Sequence, residues 1–333
     1  MVRELSTYAE LCALAPEWSE LWTRALGATP FSSPEWLLPW WRHLFRGGAM
    51  WTIAVYDRQR LTGLAPMFIH GVPEEPRKVS FIGSGITDYL EFLVEDADAA
   101  RQIWRHIASV GDRWDICDFQ EIPAGSPTLL CSPPDSGRSV SSICPLVNLP
   151  ATMAELESRF SRKFRHNLRN SRNRLQALGA CFESAKAPED TEYVEALFRL
   201  HAARWNGKGE PGVLDSAAVR GFFRDVITGF RRRGWLRLHG LRFRGELDAV
   251  VCIFCAAGRQ VYYLGGFDER LSRYSPGSNL IGFAMERAMS EGSAEFDFLR
   301  EGERYKYEWG AKDRTNFQLR LCNPKSETSA LGR

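Results

Sequence analysis

The stretch 261–310, VYYLGGFDERLSRYSPGSNLIGFAMERAMSEGSAEFDFLREGERYKYEWG, constrains the fold of this 333-residue chain more than any other. An aromatic strand, 261–267, leaves through Asp268 and runs into Ser275-Pro276-Gly277-Ser278-Asn279, which opens an apolar helix. Proline costs little at a helix start, because the N–H it lacks would be an orphan there in any case. After the helix a short strand, 295–299, ends in a polar loop, 300–312, that carries Lys306. Strand, small-residue turn, helix, strand is an order that aims backbone N–H groups at an anion such as a phosphate.

The rest of the second half predicts elements to match. Helices are expected at 152–178, 188–205 and 216–233, the first opened by Thr152 and Glu155 at capping-box spacing and stopped by Gly179. Strands 235–243, 246–257 and 260–267 follow as a meander, with turns at Arg244-Gly245 and Gly258-Arg259, and a last strand is expected at 316–322. The first half opens with a Trp-rich helical stretch broken by Pro30, Pro34 and Pro39. Strands 51–57, 60–69, 78–82 and 90–94, a helix 97–110 and a strand 116–121 come next, while the polar run 133–142 reads as a loop. The pattern is that of a mixed α/β protein with a first domain at 1–150, a second at 151–325 and a tail at 326–333.

Composition excludes some classes of function. Hydrophobic residues at 44%, charged residues at 25% and a net charge of +2 describe a globular chain without a wholesale nucleic-acid footprint. No apolar run of about 18 residues is present, so no membrane span is expected. Glu4 and Glu10 argue against a secretory leader. The eight cysteines are scattered, and the Cys252–Cys255 pair falls inside an apolar strand whose odd spacing sends the two side chains to opposite faces. Buried thiols, a reducing compartment and a cytoplasmic setting are the expectation. The six histidines show no paired ligand spacing, so no metal is expected, and neither a G-x-S-x-G nor a Walker A motif occurs.

The element order, the SPG turn and the FDFLREGERYKYEWG ending resemble the last third of GNAT-superfamily acyltransferases, and more narrowly the BioF2-like or CelD-like acetyltransferases, relatives of the Fem aminoacyl transferases. The resemblance implies two tandem GNAT-like domains, each a mostly antiparallel sheet flanked by helices, the first degenerate. It implies acyl-CoA, acetyl-CoA first, as co-substrate, held through Arg273, Ser275, Gly277, Ser278 and Asn279, although Arg273-Tyr274-Ser275-Pro276-Gly277-Ser278 keeps only part of the usual Q/R-x-x-G-x-G/A loop. It also implies that Lys306 stabilises the oxyanion of the acyl transfer, that Asp297 or Asp88 manages the proton, and that Tyr305 and Tyr89 contact substrate. The acceptor suggested is a small molecule or saccharide, such as a cell-envelope or polysaccharide precursor.

Two further segments carry expectations. Arg162, Arg165, Arg169 and Arg172 share one helical face opposite Phe160, Phe164, Leu168, Leu175 and Leu178, with no acidic residue from 159 to 174. A one-sided arginine row suits a polyanion, so Arg165 and Arg169 are candidate substrate contacts, and aminoacyl-tRNA is an alternative donor. A solvated helix face explains the same pattern. Arg204 and Trp205, before a Gly-rich loop, match the acceptor side of the family or a plain helix cap. In the loop 83–91, Asp88 is either a proton acceptor beside Tyr89, with Glu91 as a second polar contact, or the cap of an Asx turn. A non-catalytic nucleotide-binding module stays open as a third reading.

Overall fold

The computed structural model describes residues 1–72, 74–186, 189–206, 212, 214 and 216–324, without the side chains of 204–206. The chain forms two compact units: Met1–Ile143 joined by the chain from Arg314 onward, and Cys144–Asp313. The last strand, assigned to the second domain from sequence, thus returns to the first unit.

In the first unit, β1 (Val2–Leu5) precedes helices α1 (Tyr8–Ala13), α2 (Ala15–Arg24) and α3 (Pro34–Leu44). Strands β2 (Ala49–Met50), β3 (Thr52–Asp57), β4 (Arg60–Ala65), β5 (Met67–His70), β6 (Lys78–Phe81) and β7 (Leu93–Val94) follow, then α4 (Ala97–Ser109), β8 (Ile116–Pro123), α5 (Pro127–Leu130) and the start of β9 (Gly137–Asn148). One sheet runs β1-β3-β4-β7. In the other, β8 pairs with β6 in parallel, β6 with β5 and β5 with β2 antiparallel, and β15 (Lys312–Cys322) lies antiparallel on β8. The expected strand 60–69 is two strands in different sheets, because Pro66 has no N–H to continue a ladder. Helix α4 forms where expected: Asp96 caps it by accepting from Ala99 N at 2.9 Å, and Ala99, Ala100, Ile103, Trp104 and Ile107 make its buried stripe. They join Trp51, Phe81, Phe92, Trp114 and Phe119 in one core, to which β15 contributes Leu319 and Leu321.

In the second unit, α6 (Met153–Ser158) and α7 (Arg162–Ala177) lead to β10 (Cys181–Ser184), α8 (Asp190–Asn206), α9 (Ala217–Arg232), β11 (Leu236–Phe243), β12 (Glu246–Ala256), β13 (Arg259–Phe267), α10 (Pro276–Ser290), β14 (Glu295–Asp297) and α11 (Arg304–Glu308). Strands β10 to β13 form the expected antiparallel meander, extended by a strand β10 that the sequence reading missed. β12 is apolar almost throughout because it is covered on both faces. Ala249, Val251 and Ile253 join the core of α7 and α10, while Phe254 meets Phe230 of α9 edge-on at 4.7 Å. β14 runs parallel to β13, pairing only with Arg259–Val261, and the same three residues pair antiparallel with the end of β9 on the other side. Beyond Val261, β14 no longer covers β13.

Three expectations change here. The helix predicted at 152–178 is two helices, because Ser161 caps a new start by accepting from Phe164 N at 3.1 Å. Leu178 is exposed rather than core-facing, since it lies past the end of α7. The run 133–142, read as a loop, contains the beginning of β9. Its serines are polar because this part of the strand is largely exposed.

Candidate functional site

The second unit concentrates anion-binding features at the start of α10. Ser275 precedes the helix in the left-handed region, with φ 48° and ψ 53°, which costs a residue with a side chain about 1–2 kcal/mol. No side chain caps this helix, and Pro276 occupies its first turn, so the first-turn N–H groups lack a side-chain acceptor. Gly277 has its nearest side-chain neighbour, Phe267, at 3.5 Å from where a Cβ would stand, so alanine would fit and no steric demand fixes the glycine. Asn279 is buried and does not face outward: its Nδ2 donates to Ser171 Oγ at 2.8 Å, Ser275 O at 3.1 Å and Tyr274 O at 3.2 Å. Its work is to hold the strained turn against α7.

Beside this helix start lies a cavity of about 230 Å³, lined by Ser161, Lys163, Phe164, Asn167, Leu168 and Ser171 of the α7 segment, Ser275 and Ser278 at the start of α10, and Arg304 and Glu308 of α11. Arg304 reaches only 4.0 Å from Glu308, and its side chain is exposed. Among the described residues Arg162, Lys163, Arg165 and Arg169 enter no ion pair. Arg172 is different: it grips Glu286 of α10 with bonds of 2.8 and 3.1 Å, so the expected row is neutralised at its inner end. Arg165 and Arg169 do not line the cavity, whereas Lys163, one residue from the predicted face, does. Sequence reasoning missed Lys163, Asn167 and Ser171. A three-to-four spacing from Ser275-facing positions would find them only once the α7–α10 packing is known.

Lys306 is buried in α11 with its ammonium turned into its own loop. Its Nζ donates to Arg300 O at 2.6 Å and Glu301 O at 2.8 Å, lies 3.3 Å from Leu299 O, and pairs with Glu303 Oε2 at 2.7 Å. Three N–H groups facing four protein acceptors leave none for a reacting oxyanion, so this geometry makes Lys306 an organiser of the loop. Leu299 and Glu301 have positive φ, 60° and 76°, and the lysine holds their carbonyls together. Asp297, fully buried, accepts from Leu299 N at 2.8 Å and turns the chain out of β14. Tyr305 is half-buried and meets Phe298 edge-on at 5.9 Å; Phe298 in turn packs 6.1 Å from Tyr262 of β13. This aromatic chain stands where β14 parts from β13.

In the first unit the loop 83–91 is buried at its end. Asp88 and Tyr89 are both enclosed, and the Asp88 carbonyl accepts from Asn316 Nδ2 at 2.8 Å. Asn316 also donates to Glu121 Oε2 at 3.1 Å, and Glu121 accepts from Ser141 Oγ at 2.7 Å and from Ser142 Oγ. Glu91 takes a hydroxyl from Ser126 at 2.6 Å. Glu121 and Asn316, invisible to the sequence reading, are the centre of this buried polar group, and Glu121 holds φ at 59°. The side chains of Arg204 and Trp205 lie outside the described residues. Cys252 is buried and Cys255 half-buried, and burial pushes the Cys252 thiol up, away from reactivity. Among the described residues no cluster of three His, Cys, Asp or Glu side chains could hold a metal ion, and no helix is long and apolar enough to cross a membrane.

Two mixed α/β units, the second built as meander, uncapped helix, parallel strand and short helix, define the GNAT class of fold. Residues 162–307 match the profile of the acetyltransferase (GNAT) domain, so the second unit is a GNAT-type acetyltransferase domain. The fold is similar to that in the crystal structure of FemX, at 11% identity and a TM-score of 0.66 over 95% of this chain and 96% of that one. It is similar also to the C-terminal domain of a putative lysylphosphatidylglycerol synthetase from Agrobacterium fabrum, at 13% identity and a TM-score of 0.59 over 98% of this chain and 95% of that one. L-PGS from Bacillus licheniformis is a further neighbour, at 14% identity and a TM-score of 0.54 over 86% of this chain and 91% of that one. No curated protein sequence matches the chain significantly.

Proposed function

We propose that this protein transfers an acyl group, acetyl first among them, from acyl-CoA to an amine or sugar hydroxyl of a small or saccharide acceptor such as a cell-envelope precursor. The observation that carries the reading is the cavity between α7 and the uncapped start of α10, where Lys163, Arg304 and the first-turn N–H groups of α10 converge. Backbone donors and a helix N-terminus favour a pyrophosphate there. Lys163 enters no ion pair among the described residues and adds a charge-assisted contact, while Glu308 at the same cavity lies 4.0 Å from Arg304. With the donor so held, its thioester arm runs toward the place where β14 parts from β13, beside Tyr262, Phe298 and Tyr305. The acceptor nitrogen or oxygen attacks the thioester carbonyl, a C–N or C–O bond forms, the C–S bond breaks, and the thiolate leaves with the proton the acceptor gives up. No covalent enzyme intermediate is needed. Lys306 and Asp297 serve by fixing the 297–303 backbone that borders this place. Eight free cysteines fit a reducing, cytoplasmic setting.

A second donor, aminoacyl-tRNA, is favoured by one observation: Arg162, Lys163, Arg165 and Arg169 stay out of ion pairs along α7. The test is thermal stability with acetyl-CoA, longer acyl-CoAs and charged tRNA, since a ligand of the folded state raises the melting temperature with occupancy. Ser278→Glu supplies the control. It places a negative charge in the cavity, while a carboxylate in the first turn favours the helix itself. A shift with acyl-CoA that Ser278→Glu abolishes supports the reading. A shift with charged tRNA alone transfers the site to the second donor, and silence with both refutes transferase function at this cavity.

A further inference from the structure

Helix α7 carries a charge asymmetry that the cavity leaves unused. Between residues 158 and 182 stand seven of the chain's 43 Lys and Arg, from Arg159 to Arg174, and none of its 41 Asp and Glu. Outside that segment 36 Lys and Arg face 41 Asp and Glu, so a chain of net +2 divides into a +7 segment and a remainder of −5. The helix holds this surplus against its own preferences. Its first turn contains Arg162 and Lys163 and no acidic residue, although the positive end of a helix dipole favours carboxylates. Arg162, Arg165 and Arg169 follow at spacings of three and four, where like charges repel. Conflicts of this kind within one element are what a functional surface leaves in a fold.

The fold turns these charges outward. Arg162, Lys163, Arg169 and Arg174 are exposed and Arg165 is half-exposed, and none of the five enters an ion pair among the described residues. Only Arg159 and Arg172 are neutralised, by Glu155 and Glu286. Arg165 and Arg169 lie on one flank of the outward half and Lys163 and Arg174 on the other, with Asn170 and Asn173 between them. From Arg162 to Leu178 this face is about 24 Å long. Its far end is apolar, because Leu178 exposes 46% of its surface. Tyr307, 39% exposed, belongs to α11, whose Arg304 and Glu308 line the cavity together with Lys163. Among the described residues of the second unit these two are the exposed large hydrophobic side chains, and both stand on elements of the cationic face.

We propose that the outward half of α7, through Arg162, Arg165, Arg169 and Arg174 with Leu178 at its end, docks the protein on the surface of an anionic lipid bilayer. The convex side of a single helix lies along a plane, whereas a nucleic-acid strand is tracked by a groove of positive charge with aromatic side chains for its bases. The aliphatic Leu178 offers a base little to stack on and fits the acyl boundary just below lipid headgroups. The −5 of the remaining chain is repelled by an anionic surface, so the attraction that binds the protein also orients it. Docking sets the α10 cavity beside the bilayer, since Lys163 belongs to both. An acceptor borne on a lipid would meet the site there, and that last step alone rests on the transferase reading.

The test is co-sedimentation of the full chain with vesicles of phosphatidylcholine containing about one third phosphatidylglycerol, beside vesicles of phosphatidylcholine alone. Binding to the anionic vesicles only, weakening as salt is raised, is the expected result. Each cation at the surface is worth about fivefold, so Arg162→Gln/Arg165→Gln/Arg169→Gln should lose about a hundredfold. Glutamine keeps the helix propensity, and thermal melting verifies the fold. Arg162→Lys/Arg165→Lys/Arg169→Lys should retain the binding, because a headgroup layer answers to charge rather than to the guanidinium fork. Leu178→Asn should weaken vesicle binding about threefold and leave tRNA binding unchanged; equal vesicle affinity would overturn the apolar end of the contact. No binding to the anionic vesicles, or equal binding by the glutamine variant, overturns the docking surface. Binding of tRNA through the same arginines without vesicle binding assigns the face to RNA and overturns it too. Vesicle binding that depends on the arginines, in a protein that transfers no acyl group, keeps the surface and refutes only the transferase reading.

Discussion

Asn279 of α10 donates its side-chain amide to the Ser171 hydroxyl of α7 across 2.8 Å, tying the helix that bears the unpaired cations to the strained turn that opens the donor cavity. The same amide reaches the carbonyls of Tyr274 and Ser275, so three acceptors depend on one NH₂ group. Asn279→Ala is expected to destabilise the second unit by about 2 kcal/mol, and Asn279→Asp by more, because a carboxylate would face three acceptors. Differential scanning calorimetry checks the order; an aspartate variant as stable as the wild type would show that the amide is not what holds the turn.

Lys306 gives a sharper contrast between two roles. A lysine that clamps carbonyls should, on Lys306→Met, lower stability by about 3 kcal/mol, since buried acceptors and the Glu303 carboxylate lose their partner. A lysine acting only on the oxyanion should leave the melting temperature alone and lower kcat. Unfolding and turnover of the one variant decide between them, and the geometry predicts the first outcome.

His239 makes the second unit acid-sensitive. It is buried on β11, bonded to Ser184 Oγ at 2.8 Å, with its ring edge-on to Phe283; burial, then Arg287 and Arg237, lowers its pKa from 6.5 to about 4. The unfolded chain therefore takes up this proton first as the pH falls. The effect is absent above pH 6.5, removes up to about 1.4 kcal/mol of stability per pH unit between 6.5 and 4, and levels off below. Urea unfolding across this window should show the slope, and His239→Gln should reduce it by one proton; an unchanged slope would assign the acid response to other groups.

Arg172 and Lys163 lie nine residues apart on the same helix and should respond oppositely. Arg172→Gln breaks a half-buried bidentate pair with Glu286 and is expected to cost about 1 kcal/mol of stability with little change in donor affinity. Lys163→Gln removes a cavity cation and is expected to weaken acyl-CoA binding about tenfold with an unchanged melting temperature. Titration calorimetry beside thermal melts separates the two, and a donor effect from Arg172 would mean that Glu286 releases it.

The part of the fold legible from residues is the part governed by local chemistry. The SPG helix start, the Asp96-capped helix and the meander with its Arg244-Gly245 and Gly258-Arg259 turns depend on neighbours in sequence, and they form as the residues dictate. The break at Ser161 was harder to see, because a serine inside an arginine-rich helical pattern caps only if the preceding turn ends, and that is decided by packing around Phe160. Strand β9 hid behind serines whose exposure on the sheet permits them. In the site, Lys306 could be picked out but not its orientation. Its acceptors are carbonyls of a loop with two positive-φ residues, and backbone direction leaves no mark on side-chain pattern. Lys163 acquires its meaning only from the turn that α10 presents beside it.

The return of β15 to the first unit has a consequence for how the protein is made. β8 receives its antiparallel neighbour only from residues 316–322, and Leu319 and Leu321 enter a core whose other members all precede residue 132. On the ribosome, the first unit to emerge is thus the last that can close, and its β8 edge waits through the synthesis of an entire second unit. A nascent chain stalled before Arg314 carries an open sheet edge, which makes the order of completion the reverse of the order of translation.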